Sequence, residues 1–100
     1  MSGTQIGHIT HYYEHLGVAV LALTHVIRVG DWLHVLGHTT DFAQQVESME
    51  IDHAPVHQAG PDQDVALKVT HRVRAHDLLF HITADEARQL EIDRELDHIW

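Results

Sequence analysis

Between residues 26 and 53 the apolar positions alternate with polar ones in the two-residue period of half-buried strands. Leu33 and Val35 flank His34, Gly30-Asp31 opens the run and Gly37 closes it. After the polar turn His38-Thr39-Thr40-Asp41, Phe42 and Val46 share one parity, whereas Met49 and Ile51 take the other. One extra residue near Glu47-Ser48 accounts for that phase change. The pattern therefore predicts one strand carrying a β-bulge, bent as a small closed barrel requires.

Upstream, residues 6–13 place Ile9, His11 and Tyr13 on one strand face, and Ile6, His8, Thr10 and Tyr12 on the other. Residues 16–23 are apolar at both parities. Val18 and Val20 are expected to point inward and Ala19, Leu21 and Leu23 outward, so something must cover the outer face. Downstream, residues 55–64 read as a loop around Gly60-Pro61. Val65, Leu67 and Val69 then alternate with Ala66, Lys68 and Thr70, and a last strand over 78–82 sets Leu78, Phe80 and Ile82 on one face. No internal repeat or low-complexity segment appears.

At Thr83 the period changes. Thr83-Ala84-Asp85-Glu86 fits a capping box, in which the threonine hydroxyl accepts from the third helical amide and the glutamate returns to the threonine amide. A helix is predicted to follow to about Trp100, with Ile92, Leu96, Ile99 and Trp100 as its apolar stripe. The pairs Arg88/Glu91, Glu91/Arg94 and Arg94/Asp97 are each worth only a few tenths of a kcal/mol, so packing must hold the helix. The expected partner of the stripe is Ala19, Leu21 and Leu23, within one chain or across a dimer. The prediction is thus a mainly β, six-stranded antiparallel barrel over residues 6–82 with a C-terminal α-helix over 83–100, a six-strand sandwich being the alternative.

Composition narrows the function classes. A chain of 100 residues holds one modest core and has no room for a catalytic domain beside a second module. There is no cysteine, which excludes disulfides, thiolate metal sites and a cysteine nucleophile and is compatible with a cytoplasmic address. Neither a signal peptide nor a membrane span is present, because the longest apolar run, residues 16–23, falls far short of the ~20 residues a bilayer needs. With 15 acids against 6 bases the formal charge is −9, so neither free nucleic acid nor an anionic membrane is an expected partner at neutral pH. The 12 histidines, fully protonated, carry the charge to −9 + 12 = +3, which gives the chain the means of a pH response. The simpler reading has most of them on the surface in place of lysine, of which there is one, Lys68.

Several pieces taken together carry a family resemblance: Ile6-Gly7, Thr10-His11-Tyr12-Tyr13, Gly17-Val18-Ala19-Val20, Val29-Gly30-Asp31, Thr39-Thr40-Asp41-Phe42, Ser48-Met49 with Ile51 and His53, Pro55-Val56 and Leu67-Lys68-Val69. The chain resembles the small translation elongation factor-like proteins, free-standing relatives of the second, β-barrel domain of translational GTPases. It is also similar to the C-terminal domain of U32-type peptidase-family proteins, some of which are linked to RNA hydroxylation. The resemblance implies a barrel of the translation-factor domain II type that acts as a non-enzymatic binding module. The implied partner is the ribosome, tRNA or a protein, the chain being a monomer or weak dimer without a cofactor. The alternatives are an accessory domain acting in trans with a U32-type RNA-modifying enzyme, and a histidine-dependent metal-binding protein. Three positions depart from the family pattern. Pro61-Asp62-Gln63 stands where Pro-Gly-Asp is usual, His76-Asp77 where a glycine precedes the aspartate, and Ala66 where a strand glycine is common. Non-glycine residues adopt positive φ poorly, so these turns are expected to differ in detail.

Candidate chemistry is sparse. The phosphate-cradling motif of a GTPase, G-x-x-x-x-G-K-[ST], is absent. His8, His11 and His15, the pair His34/His38 and the pair His53/His57 invite a zinc site. Residues four apart on a strand, however, lie ~13 Å apart at ~3.3 Å per residue, whereas zinc needs its donors at ~2 Å. Such a site would have to assemble across strands. Ser48, Asp52 and His53 are close in sequence, but strand parity separates Ser48 from His53 unless the bulge intervenes, and a triad is defined by geometry, so chance composition is the better account. Thr39, Thr40 and Asp41 are expected to form a structured turn whose side chains satisfy backbone amides. His11 and Tyr12, with Tyr13, could stack bases or the aminoacyl end of a tRNA; the simpler reading packs Tyr13 in the barrel and leaves Tyr12 on the surface. His11, Tyr12, Thr39, Thr40 and Asp41 are the candidate partner-binding residues.

Overall fold

The computed structural model describes residues 3–99, the side chains of residues 96–99 lying outside the description. The chain forms β1 (Thr4–Tyr13), β2 (Val18–Leu23), β3 (Ile27–Arg28), β4 (Trp32–Leu36), β5 (Asp41–Gln45), β6 (Met49–Ile51), β7 (Ala54–Val56), β8 (Gln58–Ala59), β9 (Val65–Lys68), β10 (Leu78–Ile82) and α1 (Ala84–Ile99). Eight strands make one antiparallel sheet in the order β5-β4-β10-β1-β2-β9-β6-β7, and β3 pairs with β8 apart from it. The sheet curls into a half-barrel, not the closed six-stranded barrel the pattern predicts. The predicted single strand through Glu47-Ser48 is two strands at opposite ends of the sheet. Val46 is still held by Gly30 and Asp31, whereas Met49 pairs with Leu67. The change of phase marks a chain changing partners, not a bulge within one ladder. The predicted loop over 55–64 takes in most of β7 and all of β8, with Pro55 tolerated because β7 is an edge strand.

At the seam between β5 and the end of β9, one side chain replaces a ladder. Gln44 has the inward parity of Phe42 and Val46 and is buried. Its Nε2 donates to the Lys68 carbonyl at 3.0 Å and its Oε1 accepts from the Thr70 amide at 2.9 Å.

The core combines Ile6, Ile9, Ala19, Leu21, Leu33, Val35, Phe42, Val46, Met49, Val65, Leu67 and Leu79, with Ile27 and Ala59 from the small ladder. The expected facing of β2 is inverted: Ala19, Leu21 and Leu23 point inward and Val18 and Val20 are half-buried. β2 alternates without a break, Leu21 facing inward opposite Ile9, whereas β1 carries two irregularities. Against β10 the register shifts between Gln5 and Gly7, and against β2 between Ile9 and His11. Ile6 and Ile9, of opposite parity, can then both be buried, and past the second shift Tyr12 opposes the inward Ala19. Tyr12 consequently packs on the core and Tyr13 is exposed, the reverse of the simpler expectation. Gly7 is needed where β1 meets β2, since a Cβ there would collide with the Ala22 carbonyl.

The turns that aim β4 and β10 share one design. In Arg28–Asp31 the Asp31 carboxylate accepts from the Arg28 amide at 2.9 Å, and in Arg74–Asp77 the Asp77 carboxylate accepts from the Arg74 amide at 2.9 Å. In both, the aspartate amide also returns to the arginine carbonyl. The third residue has positive φ in each, Gly30 at 100° and His76 at 77°. The departure from glycine at position 76 therefore leaves the turn geometry in place, and Asp62, at φ 66°, likewise adopts the glycine-like conformation. Asp77 is buried against Gly37, where a Cβ would strike its carboxylate.

The capping box forms as expected: the Thr83 amide donates to Glu86 Oε1 at 2.9 Å and the Glu86 amide to Thr83 Oγ1 at 3.1 Å. The helix does not cover β2. It lies on the outer face of β4, β5 and β10, where Ala87 and Leu90 meet Trp32, Leu36, Ala43, Phe80 and Ile82. Its packing face is offset from the predicted stripe, Ile92 being exposed. Leu96, Ile99 and Trp100, the rest of that stripe, fall outside the described side chains. The predicted partner face is unavailable because Ala19, Leu21 and Leu23 already fill the core.

Candidate functional site

The five candidate residues divide between two places. His11 and Tyr12 lie on β1 near its hairpin with β2, where the His11 and Tyr13 rings pack at 4.4 Å and Tyr12 turns toward the core. Thr39, Thr40 and Asp41 form the β4–β5 turn, closed by the Gly37 amide donating to the Thr40 carbonyl at 2.7 Å. The turn is closed by its backbone, and not, as expected, by its side chains: among the described residues no hydrogen bond joins the Thr39, Thr40 or Asp41 side chain to a backbone amide. Asp41 Oδ1 lies 2.7 Å from Nε2 of His34, which is buried beneath α1 beside Phe80. A neighbouring strand thus fixes the carboxylate's orientation.

Around that turn a cleft of about 260 Å³ opens between Thr39, Thr40, Asp41 and Phe42 on one side, His71 and Arg72 on another, and Arg94 of α1. His71 is held at two points: Nδ1 lies 2.8 Å from Thr70 Oγ1, and the ring packs on Phe42 at 4.7 Å. His11 and Tyr12 do not line this cleft. His71, Arg72 and Arg94 carry no motif, and only the curl of the sheet and the docking of α1 bring them to the turn. Charge spacing could have singled out Arg94, which sits 3.7 Å from Glu91 as the helical pairing predicts.

The other arrangements do not assemble. Ser48 lines a depression with Val18, Glu50, Ala66 and Lys68, whereas Asp52 and His53 line another with Tyr13, Val20, Glu50, Asp64 and Ala66. A Ser-Asp-His triad is not formed. Among the described residues no three His, Asp or Glu side chains are grouped as metal ligands, so the histidine spacings do not converge. Ten of the twelve histidines are exposed and His34 is buried, His98 lying outside the described side chains. No helix among the described residues is long and apolar enough to cross a membrane.

Comparison with known proteins places the fold. No protein-family model matches the chain. It is 32% identical over 77 residues to an uncharacterized protease of Methanocaldococcus jannaschii; the match takes in 76% of this chain and 19% of that protein's length. Among solved structures it is similar to the C-terminal domain of a Geobacillus thermoleovorans protein described as a U32 peptidase. The TM-score is 0.73 at 21% identity, over 78% of this chain and 91% of that domain. The selenomethionine variant of the same domain gives the same TM-score over 98% of its length. At that identity the likeness is one of fold. The chain thus has the fold of a U32-type C-terminal domain and a sequence match confined to a small part of a much larger protein, and its resemblance to the translational GTPases is not shown.

Proposed function

We propose that this chain is a non-catalytic accessory domain that supplies binding surface to a U32-type RNA-modifying catalytic domain lying outside these 100 residues. The observation that carries the reading is the size of the match: 77 residues here correspond to 19% of the relative, which leaves most of that protein for chemistry. The separate folding of the Geobacillus domain supports the same division of labour. The placement of Ser48 in a different depression from Asp52 and His53, and the absence of a histidine cluster among the described residues, are in keeping with a domain that binds.

Pull-down of the full chain from its own lysate, with and without RNase, tests the proposal. Recovery of a U32-type protein that survives RNase is the expected result. Recovery of ribosomal proteins or tRNA that RNase abolishes would instead support the translation-factor reading, and recovery of neither would reject the accessory role.

A further inference from the structure

The cleft at the β4–β5 turn has a composition unlike the rest of the surface. The chain has six basic residues, and two of them, Arg72 and Arg94, line this one cleft. Two acids beside it have partners, Asp41 facing His34 at 2.7 Å and Glu91 facing Arg94 at 3.7 Å, so an incoming phosphate competes with Glu91 for Arg94. The threonine hydroxyls of the turn are neutral groups able to donate to an oxyanion. His71 presents an imidazole that is backed by buried Phe42 and tethered by Thr70, while the residue itself is exposed. Guanidinium groups bind phosphate oxygens in forked pairs, and a fixed, exposed imidazole is a surface on which a nucleobase stacks. The volume, about 260 Å³, falls just below the range of ~300–1,000 Å³ usual for drug-sized ligands and suits a single small unit.

From this we infer that the cleft binds one nucleotide unit, its phosphate between Arg72 and Arg94 and its base against His71. The inference extends the accessory reading by giving the domain a ligand of its own, and it stands on the cleft whichever catalytic domain is the partner. Two charge contacts against a net charge of −9 make binding weak and salt-sensitive. Such a site works when tethering raises the local concentration of the ligand.

The full chain alone provides the test, so this result is separable from the pull-down. Backbone-amide NMR shifts are followed at low salt while adenosine 5′-monophosphate, ribose 5-phosphate, tetra-adenylate RNA or a tetraglutamate peptide is added. Shifts at Thr39–Phe42 and His71–Arg72 with the nucleotide or the RNA are expected. Tighter binding of the RNA assigns the ligand to an RNA strand, and equal binding assigns it to free nucleotide. The RNA affinity should fall with salt at a log–log slope of roughly −0.7, that of one neutralised phosphate on a single strand. Either Arg72→Gln or Arg94→Gln should flatten that slope and weaken binding about tenfold; both arginines are exposed, so the fold tolerates the change. His71→Ala should reduce the monophosphate to the level of ribose 5-phosphate. Peptide shifts as large as those of the nucleotides would overturn the inference in favour of an acidic protein segment, and no shift with any ligand would overturn it outright.

Discussion

His76 adopts a backbone conformation that glycine takes without penalty, and it does so because the Asp77 carboxylate locks the turn from its far side. The same lock at Asp31 acts on a turn whose third residue is Gly30. His76→Gly is therefore expected to stabilise the fold by about 0.5–1 kcal/mol, raising the thermal midpoint by about 2–8 °C for a domain of this size. Ala75→Gly, at a neighbour without positive φ, should lower it. Paired melting curves decide the matter, and a midpoint for His76→Gly at or below that of the unaltered chain would sink the argument. Asp52 and His53 form a two-residue hairpin loop with φ of 52° and 65°, a type I′ geometry that Asn-Gly fits better. This scale is where the sequence was least legible. The missing glycines were visible, but not the carboxylates that preserve the turns without them. Gln44 had the parity of a core residue, yet its partners at Lys68 and Thr70 lie 24 and 26 residues away.

Elements were easier to find than to orient. The alternation in β4 and β9, the capping box and the helix start could all be read from local spacing, because each depends on residues within a few positions of one another. The facing of β1 and β2 could not. A register shift next to Thr10 reverses every side chain beyond it, and no glycine, proline or charge there announces the shift. The inverted facing of β2 in turn misplaced the helix, whose true seat is the face that Phe80 and Ile82 share with Trp32 and Leu36. A chain ending at Ile82 should bare those side chains. At ~1.5–3 kcal/mol for each large apolar side chain exposed, the loss is a sizeable part of a total stability of ~5–15 kcal/mol. A melting temperature lower by several degrees, or association seen by light scattering, is the expected outcome. A truncated chain with an unchanged melting temperature that stays monomeric would mean that α1 contributes nothing to the fold.

At the scale of the whole molecule, charge and closure set the behaviour. A net charge of −9 on 100 residues repels itself, and the repulsion is screened as ionic strength rises. The unfolding midpoint is expected to climb between low and molar KCl, and a flat or falling profile would refute a charge-limited stability. The overall class, mainly β with one terminal helix, was legible from strand spacing; the degree of closure was not, since it depends on whether β5 finds β9 or stops short. It stops short, and Gln44 spans the gap. A sheet whose seam is bridged by an amide side chain has a clasp where a closed barrel has a ladder. The proposed ligand cleft lies beside it, with Thr39–Phe42 on the β5 side and His71–Arg72 on the other. An occupant touching both sides would hold the clasp shut. By linkage it would stabilise the entire sheet by RT ln(1 + [L]/Kd), so that the molecule would be tightest when it is carrying its cargo.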